Sequence, residues 1–541
     1  MKKATRRHLA LASLTGLLYP FCFPNFDMGM MAWIVLVPLH VLLDRLPARR
    51  AFGMGWWAGW LASAGTMFWV VTAMHTYGKL ALPLSYAGLA LLAAYLGLYF
   101  GLYAFGVAWL RRAVPFLAFP AAPFLWVSLE LIRTYLFSGL PWALFGYTQY
   151  QWLPAIQIAD LSGVYGVSFM IVLVNAAVSE IGLWVWSEGK VRSDRSFPWL
   201  SSTAAALGMA FTLFYGQAAL HHGTQADTKP SLNIGLVQPN IDQAHKWDET
   251  YARETLTRYA RLTARAAPGA NLVIWPEAAT PFLFEMQKSY RDEIASLASA
   301  HGVPLLLGSP ALRYFQDGRP YLLNSAYLLS SGGDILGRYD KRHLVPFGEY
   351  VPLRSMLFFL DKLVEGIGDF EAGTVPTVLS LPGSGTRASG IAVSPPVRFG
   401  VVICFEVIFP ALVREFVRDG AEFMVTITND AWFGDSAAPF QHFGMVVFRA
   451  VENHVAFARA ANTGISGFID RYGRILNATP IFEETVLTGQ IPIRNAPTFY
   501  SHYGDVFAYG CVIITALLLI AARFWPQDSA PDGIVLRVNP T

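Results

Sequence analysis

Charge is scarce in this chain. Lysine, arginine, aspartate and glutamate make up 14% of its 541 residues, and hydrophobic residues make up 54%. Soluble domains carry about 25% charged residues, so an ordinary soluble composition is excluded. The length also exceeds what one hydrophobic core organises, so at least two domains are expected. The net charge of +3 is small and points to no nucleic-acid partner. Cysteine is scarce too: only Cys22, Cys404 and Cys511, too few for a disulfide framework. His-Glu-x-x-His, paired CxxC and a glycine-rich phosphate loop are all absent. That removes the signatures of zinc proteases, thiolate metal sites and P-loop enzymes. His343, His442 and His454 are scattered, and neither metal nor cofactor is expected.

The shortage of charge is uneven. Apolar residues dominate from about Leu9 to Leu220 and from about Gly504 to Phe524, whereas Ser231 to about Thr498 has soluble composition. This predicts a membrane protein carrying one globular domain. About seven apolar stretches precede that domain: Leu9–Phe23, Gly29–Leu43, Gly53–Met74, Ala81–Leu110, Pro115–Phe137, Val164–Trp186 and Trp199–Leu220. An eighth covers Gly504–Arg523. Each is near the ~20 residues a bilayer requires. The expected organisation is a membrane domain over 1–225, a globular domain over 231–498 and a closing membrane helix over 504–524. The first stretch follows Lys2, Lys3, Arg6 and Arg7 like a signal peptide, but no small-residue cleavage site follows it, so it is expected to be retained.

Basic residues set the expected orientation. With eight spans and the N-terminus inside, the inner segments hold Lys2, Lys3, Arg6 and Arg7, then Arg45, Arg49 and Arg50, then Arg111 and Arg112, then Lys190, Arg192 and Arg195, and finally Arg523. The short outer loops hold only Lys79. The globular domain is therefore expected outside the cytoplasmic membrane, in the periplasm of a bacterium with two membranes.

Within that domain the run Val397–Ile403 reads as a buried strand that ends on Cys404. A helix is predicted from Pro410 to Asp419, stopped by Gly420. A thiol at a strand-to-helix corner meets backbone N–H groups that favour a thiolate and can hold an oxyanion. The alternative is a buried structural cysteine. Cys404 is the domain's only cysteine, and an unpaired thiol in an oxidising compartment is a liability unless it is used.

The rest of the domain alternates predicted strands and helices. Strands are expected at Leu232–Gln238, Asn271–Trp275, Val303–Gly308, Phe423–Thr428, Val455–Ala460 and Ile465–Asp470. Helices are expected at Thr250–Ala266, Asp292–Ala300 and about Phe440–Asn453. Tyr321–Ser330 and Asp334–Tyr339 pair as a hairpin around Ser331-Gly332-Gly333. This is an α/β domain, whose chemistry is expected at strand ends. Glu277 follows Leu272–Pro276, and Lys341 follows the hairpin. A carboxylate beside Trp275 and Pro276 suits proton transfer, and a lysine stabilises a thiolate and a developing oxyanion. Glu277, Lys341 and Cys404 together supply base, electrostatic clamp and nucleophile for acyl transfer. In the apolar part, Glu130 and Arg133 share one helical face and are expected to pair, pinning two helices or facing a wet cavity. The segment Ser138–Asp160 is rich in Trp, Tyr and Gln and is expected at headgroup level under the globular domain.

The order and flanks of these residues carry a resemblance. Trp275-Pro276-Glu277, Tyr339-Asp340-Lys341 with Pro346-Phe347-Gly348-Glu349, Cys404-Phe405-Glu406, Asn429–Gly434 and Asn462–Gly467 resemble the nitrilase superfamily. The resemblance implies an αββα sandwich with a Glu–Lys–Cys triad. With its apolar stretches the chain resembles the apolipoprotein N-acyltransferase family. That implies a thioester on Cys404 taken from a phospholipid, then transfer to the α-amino group of a diacylglyceryl-modified apolipoprotein, in a multi-pass inner-membrane enzyme. Glu277 would move the protons. Lys341 and the N–H of Phe405 would hold the oxyanion. Glu349 would orient Lys341, Glu406 would brace its loop, and Trp247 and Trp432 would stand near the lipid. Phe405 occupies a position where other members carry Tyr. The other readings are a membrane-anchored nitrilase-type amidase that releases its acyl group to water, and a non-enzymatic ligand-binding membrane protein.

One departure from soluble nitrilases is a longer interval between Lys341 and Cys404. It includes the apolar run Ser355–Val364 and the Gly/Ser/Pro-rich Pro382–Pro396. The first is read as an arm touching the outer leaflet, or else as a core helix.

Overall fold

A computed structural model describes residues 2–188, 196–226, 230–243, 251–351, 370–383, 396–493 and 497–524. The N-terminal part is helical: α1 (Lys2–Leu18), α2 (Val37–Leu43), α3 (Ala48–Thr66), the short α4 (Val70–Thr72), α5 (Leu82–Ala113), α6 (Ala122–Tyr135), the short α7 (Leu153–Ile156) and α8 (Ala159–Ser162), α9 (Val164–Glu188) and α10 (Trp199–Ala226). Prolines shape the first two apolar stretches. Pro20 opens a 3₁₀ turn at Tyr19–Cys22, and Pro38 lies in the first turn of α2, where a missing N–H costs nothing. Four described helices are long and apolar enough to cross a membrane: Leu82–Ala113, Val164–Trp186, Trp199–His221 and Val506–Phe524. Helices α3 and α5 pack through glycine. A Cβ on Gly55 would lie 2.4 Å from that of Ala104, and one on Gly59 would lie 2.5 Å from that of Phe100. Small residues let apolar helices approach backbone to backbone.

The C-terminal part is a sandwich of two six-stranded sheets. The first has the order β12-β1-β2-β3-β4-β5, from β1 (Ser231–Gln238), β2 (Leu272–Ile274), β3 (Leu305–Tyr314), β4 (Pro320–Leu329), β5 (Ile335–Asp340) and β12 (Thr485–Pro492). The second has the order β11-β10-β9-β8-β7-β6, from β6 (Leu379–Leu381), β7 (Val397–Ile403), β8 (Phe423–Thr428), β9 (Phe457–Ala461), β10 (Gly467–Ile469) and β11 (Ile475–Ala478). The central strands β1, β2 and β3 are parallel, as are β7, β8 and β9, and the outer pairs are antiparallel. The expected hairpin is β4–β5; β6, β11 and β12 are additional strands.

Strand alternation sorts the side chains by face. Leu272 and Ile274 of β2 share a buried cluster with Val401 and Ile427 of the facing sheet. Val273 and Trp275 instead join a second cluster with α11 (Ala252–Ala266) and α12 (Lys288–His301). Each fully buried branched side chain contributes about 1.5–3 kcal/mol. Helices α13 (Pro410–Arg418) and α14 (Ala438–Asn453) belong to the second sheet's side. The chain closes with α15 (Phe499–Tyr503) and α16 (Val506–Phe524).

Helix α14 is buried nearly all round, because the sheet covers one side and residues 138–164 cover the other. Trp142 Nε1 donates to Gln441 at 2.7 Å and its ring stacks on His442. Arg449 donates to Tyr147 at 3.0 Å, and Glu452 accepts the N–H of Val164, at the start of α9, at 3.0 Å. Gln157 donates to the Tyr472 carbonyl at 3.0 Å. The segment expected at headgroup level is thus a buried joint between helices and sandwich. Its aromatic and amide groups find protein partners there.

Candidate active site

The predicted catalytic side chains converge because each follows a strand. Glu277 comes three residues after β2, Lys341 directly after β5 and Cys404 directly after β7. Glu277 is buried. Its Oε1 accepts from Asn324 Nδ2 at 2.8 Å and from Lys341 Nζ at 3.4 Å, and its Oε2 accepts the N–H of Asn429 at 2.9 Å. Lys341 is 1% exposed and donates to Glu349 at 2.9 Å. Burial works to lower its ammonium, but the carboxylates of Glu349 and Glu277 outweigh it and hold the pKa above its ordinary value. A permanent cation therefore stands between two carboxylates.

Cys404 opens a 3₁₀ turn, Cys404–Ile408, with φ at 52°. A non-glycine residue in that left-handed region is strained, a feature that clusters at functional sites. The sulfur interacts electrostatically with Glu277 and Lys341 and shares a hydrogen bond with Thr428. Burial and the Glu277 charge hold the thiol well above its usual pKa, against the pull of Lys341. Desolvation is the largest of these influences. The thiol is neutral until a base takes its proton, and the buried carboxylate of Glu277 is placed among its charged neighbours.

Glu349 and Glu406 both organise the lysine loop. Glu349 Oε2 accepts the N–H of Val345 at 2.8 Å while Oε1 holds Lys341. Glu406 is fully buried. Its Oε1 accepts from Tyr339 Oη at 2.7 Å and from the N–H groups of Arg342 and His343 at 2.7 and 3.1 Å; its Oε2 accepts the N–H of Ile403 at 2.7 Å. One carboxylate thus ties the lysine loop to the strand that presents Cys404. Phe405 is buried and meets the edge of Phe409, which lies 3.8 Å from the ring of His343. Trp432 is 36% exposed and touches Tyr77 of the helical part. Trp247 and the run Ser355–Val364 lie outside the described residues.

Sequence reasoning missed Asn324. Its Nδ2 bridges Glu277 and Glu349, and its carbonyl accepts the N–H of Lys341 at 2.8 Å. The signal was a polar Asn324-Ser325 pair inside an apolar strand. Also missed was a buried cluster under the nucleophile. Asp430 meets His442 Nδ1 at 3.0 Å and Arg459 at 2.7 Å, and His442 Nε2 meets the Cys404 carbonyl at 3.2 Å. His442 thus reaches Cys404 through its main chain.

Residues 233–497 match the family model described as carbon-nitrogen hydrolase, which sets the class of the sandwich and its strand-end carboxylate, ammonium and thiol. Residues 15–177 match the model described as the apolipoprotein N-acyltransferase N-terminal domain. Over 521 residues the chain is 42% identical to an apolipoprotein N-acyltransferase of Geobacter metallireducens, covering 96% of this chain and 95% of that one. It is 32% identical to the enzyme of the same name from Chlorobaculum tepidum, covering 95% and 96%. The chain belongs to the apolipoprotein N-acyltransferase family. A crystal structure of an amidase from Nesterenkonia sp. is 21% identical, with a TM-score of 0.36, over 52% of this chain and 95% of that one.

Proposed function

We propose that this chain transfers an acyl chain from a membrane phospholipid to the α-amino group of the diacylglyceryl cysteine that begins an apolipoprotein, as the last step of bacterial lipoprotein maturation. The observation that carries the reading is the buried convergence of Glu277, Lys341 and Cys404 in a member of this family. In the first step Glu277 takes the thiol proton as the sulfur attacks the ester carbonyl. Lys341 and the N–H of Phe405 balance the oxyanion. Collapse expels the lysophospholipid alkoxide, which receives the proton from Glu277, and leaves a thioester. In the second step the amine attacks that thioester, Glu277 takes the amine proton, and the thiol leaves with it. Exclusion of water protects the intermediate from hydrolysis.

The same reading places the helical part, 1–225, and the closing helix, 504–524, in the bacterial inner membrane as eight spans with the N-terminus inside. The sandwich, 231–498, then faces the periplasm. The basic bias of the inner segments supports this orientation. A membrane base suits two substrates that both reside in the bilayer. Glu349 orients Lys341, Glu406 braces its loop, and Phe405, Trp432 and Trp247 serve the lipid side.

Mass spectrometry of the purified protein after incubation with phospholipid tests the reading. An acyl mass is expected on the peptide containing Cys404, absent in Cys404→Ala and slowed at least about a hundredfold in Glu277→Gln. Adding a diacylglyceryl-cysteine peptide should clear the adduct and place an amide on the peptide. An adduct that decays equally fast without the peptide would make the protein a hydrolase. No adduct on folded wild-type protein would leave only a ligand-binding role.

A further inference from the structure

Tyr95, Leu98, Tyr99 and Leu102 share one stripe of α5 at helical spacing, and Leu129, Ile132 and Arg133 share one stripe of α6, continued by Leu136 just past its end. Leu98, Leu102, Ile132 and Leu136 are exposed, although α5 is long and apolar enough to span a bilayer. Such side chains face acyl chains in a membrane. Between the stripes lies a small cavity of about 20 Å³, lined by Tyr99, Phe100, Trp126, Leu129, Glu130 and Arg133.

The expected Glu130–Arg133 pair makes no direct ion pair, although the two charges interact. Glu130 is buried and turned inward, and its Oε1 accepts from Trp126 Nε1 at 3.0 Å and from the N–H of Phe145 at 2.7 Å. Arg133 is half-buried. Its Nη2 reaches only the Ala143 carbonyl, at 3.4 Å, and its Nε is buried with no partner among the described residues. No described carboxylate forms an ion pair with it. A guanidinium at membrane depth is costly unless it meets an anion or water. The Tyr95 and Tyr99 hydroxyls stand 2.7 Å apart on α5, and Tyr99 lines the cavity with Arg133.

A relay of contacts links the Arg133 loop to the nucleophile turn. The Arg133 carbonyl accepts the N–H of Leu140 at 3.0 Å, closing the loop above it. In that loop a Cβ on Gly139 would lie 3.2 Å from Phe409, whose ring meets that of Phe405 beside Cys404.

We infer that Arg133, flanked by Tyr95 and Tyr99, forms a docking subsite for the phosphodiester of the acyl-donor glycerophospholipid. A planar guanidinium suits a phosphate through two parallel hydrogen bonds. The exposed leucines and Ile132 accommodate the chains. The acceptor's diacylglyceryl group carries no phosphate and has no use for this cation. The inference rests on phospholipid being the donor.

The experiment separates the two half-reactions on full-length enzyme in mixed micelles. Arg133→Gln should lower the rate of Cys404 thioester formation from phospholipid by about tenfold to a hundredfold, mainly through KM. With diacylglycerol, a donor that lacks phosphate, the variant should match wild type, and Arg133→Lys should recover part of the loss. Transfer from pre-acylated Arg133→Gln to the acceptor peptide should keep the wild-type rate. An unchanged rate with phospholipid would overturn the subsite. So would an equal loss with diacylglycerol or in the second half-reaction, which would make Arg133 structural. If wild type forms no thioester with either donor, the acyl-transfer reading fails instead.

Discussion

Two buried charge clusters flank Cys404, and they differ in what they leave undone. On one side Lys341 stands between Glu277 and Glu349, and its contact with Glu277 is long, at 3.4 Å. On the other side Asp430 is saturated: Arg459 and His442 meet its two oxygens, and Thr428 donates to Oδ1 at 2.9 Å. Both clusters place acid beside base in a dry interior. The first holds the Glu277 carboxylate, through Asn324 and the N–H of Asn429, beside the Cys404 thiol. The second holds the turn beneath that thiol through His442. One cluster faces the thiol with a carboxylate and an ammonium, and the other meets the main chain of Cys404 through His442.

Replacing Lys341 should break the comparison most severely. Lys341→Met leaves Glu277 and Glu349 buried without their cation. Thioester formation should fall on the order of a thousandfold or more, and the folded state should lose about 3–5 kcal/mol. Stopped incubations read by mass spectrometry and denaturant titration in detergent measure the two effects. A Lys341→Met enzyme with near-normal acylation would show that the clamp lies elsewhere.

Asp430→Asn should act on stability before chemistry, and with a pH signature. Burial pushes the Asp430 carboxyl up, but Arg459 and His442 outweigh it and bring it down to about 2. The unfolded carboxyl titrates near ~3.9. The unfolded chain therefore binds the proton more readily, and this contribution is complete above pH ~4 and lost as pH falls toward ~2. Thermal scans across that window should show a shallower acid slope in Asp430→Asn than in wild type, with lower stability at neutral pH. Identical slopes would mean that Asp430 is not the buried anion of this cluster.

Glu406→Gln should sharpen the comparison with the smallest effect. The amide presents one acceptor oxygen where the carboxylate serves four donors. A loss of about 1–3 kcal/mol is expected. Acylation should slow as the lysine loop and nucleophile turn drift apart, while the Cys404 adduct still forms. Complete loss of adduct in a folded protein would promote Glu406 from brace to participant.

Much of this site is legible in the residues. Glu277 and Cys404 follow apolar runs short enough to be strands, and Lys341 follows a hairpin with its turn glycines. Those signals are local, and so they survive into the fold. Asn324 and Arg459 are harder to find, because a polar residue inside a strand reads as a break until its partner is known. The nearest carboxylate to Asn324 Nδ2 comes from Glu277, 47 residues earlier. The partners of segment 138–160 are hidden for the same reason, since Gln441 and Tyr472 come to its Trp and Gln residues from about 300 residues away. Trp247, expected near the lipid, and the apolar run Ser355–Val364 lie beyond the described residues.

Composition and period alone determine the division into apolar helices and a soluble α/β part, the order of the central strands along the chain, and which three residues end up at strand tips. These follow from short-range propensity and from the partition of apolar side chains between water and lipid. Tertiary structure decides the rest. It decides that burial holds the Cys404 thiol above its usual pKa, that Lys341 is pinned as a cation, and that Glu130 bonds to Trp126 and Phe145 with no direct ion pair to Arg133. Desolvation and the distance between charges settle each of these, and neither exists until distant segments have packed together.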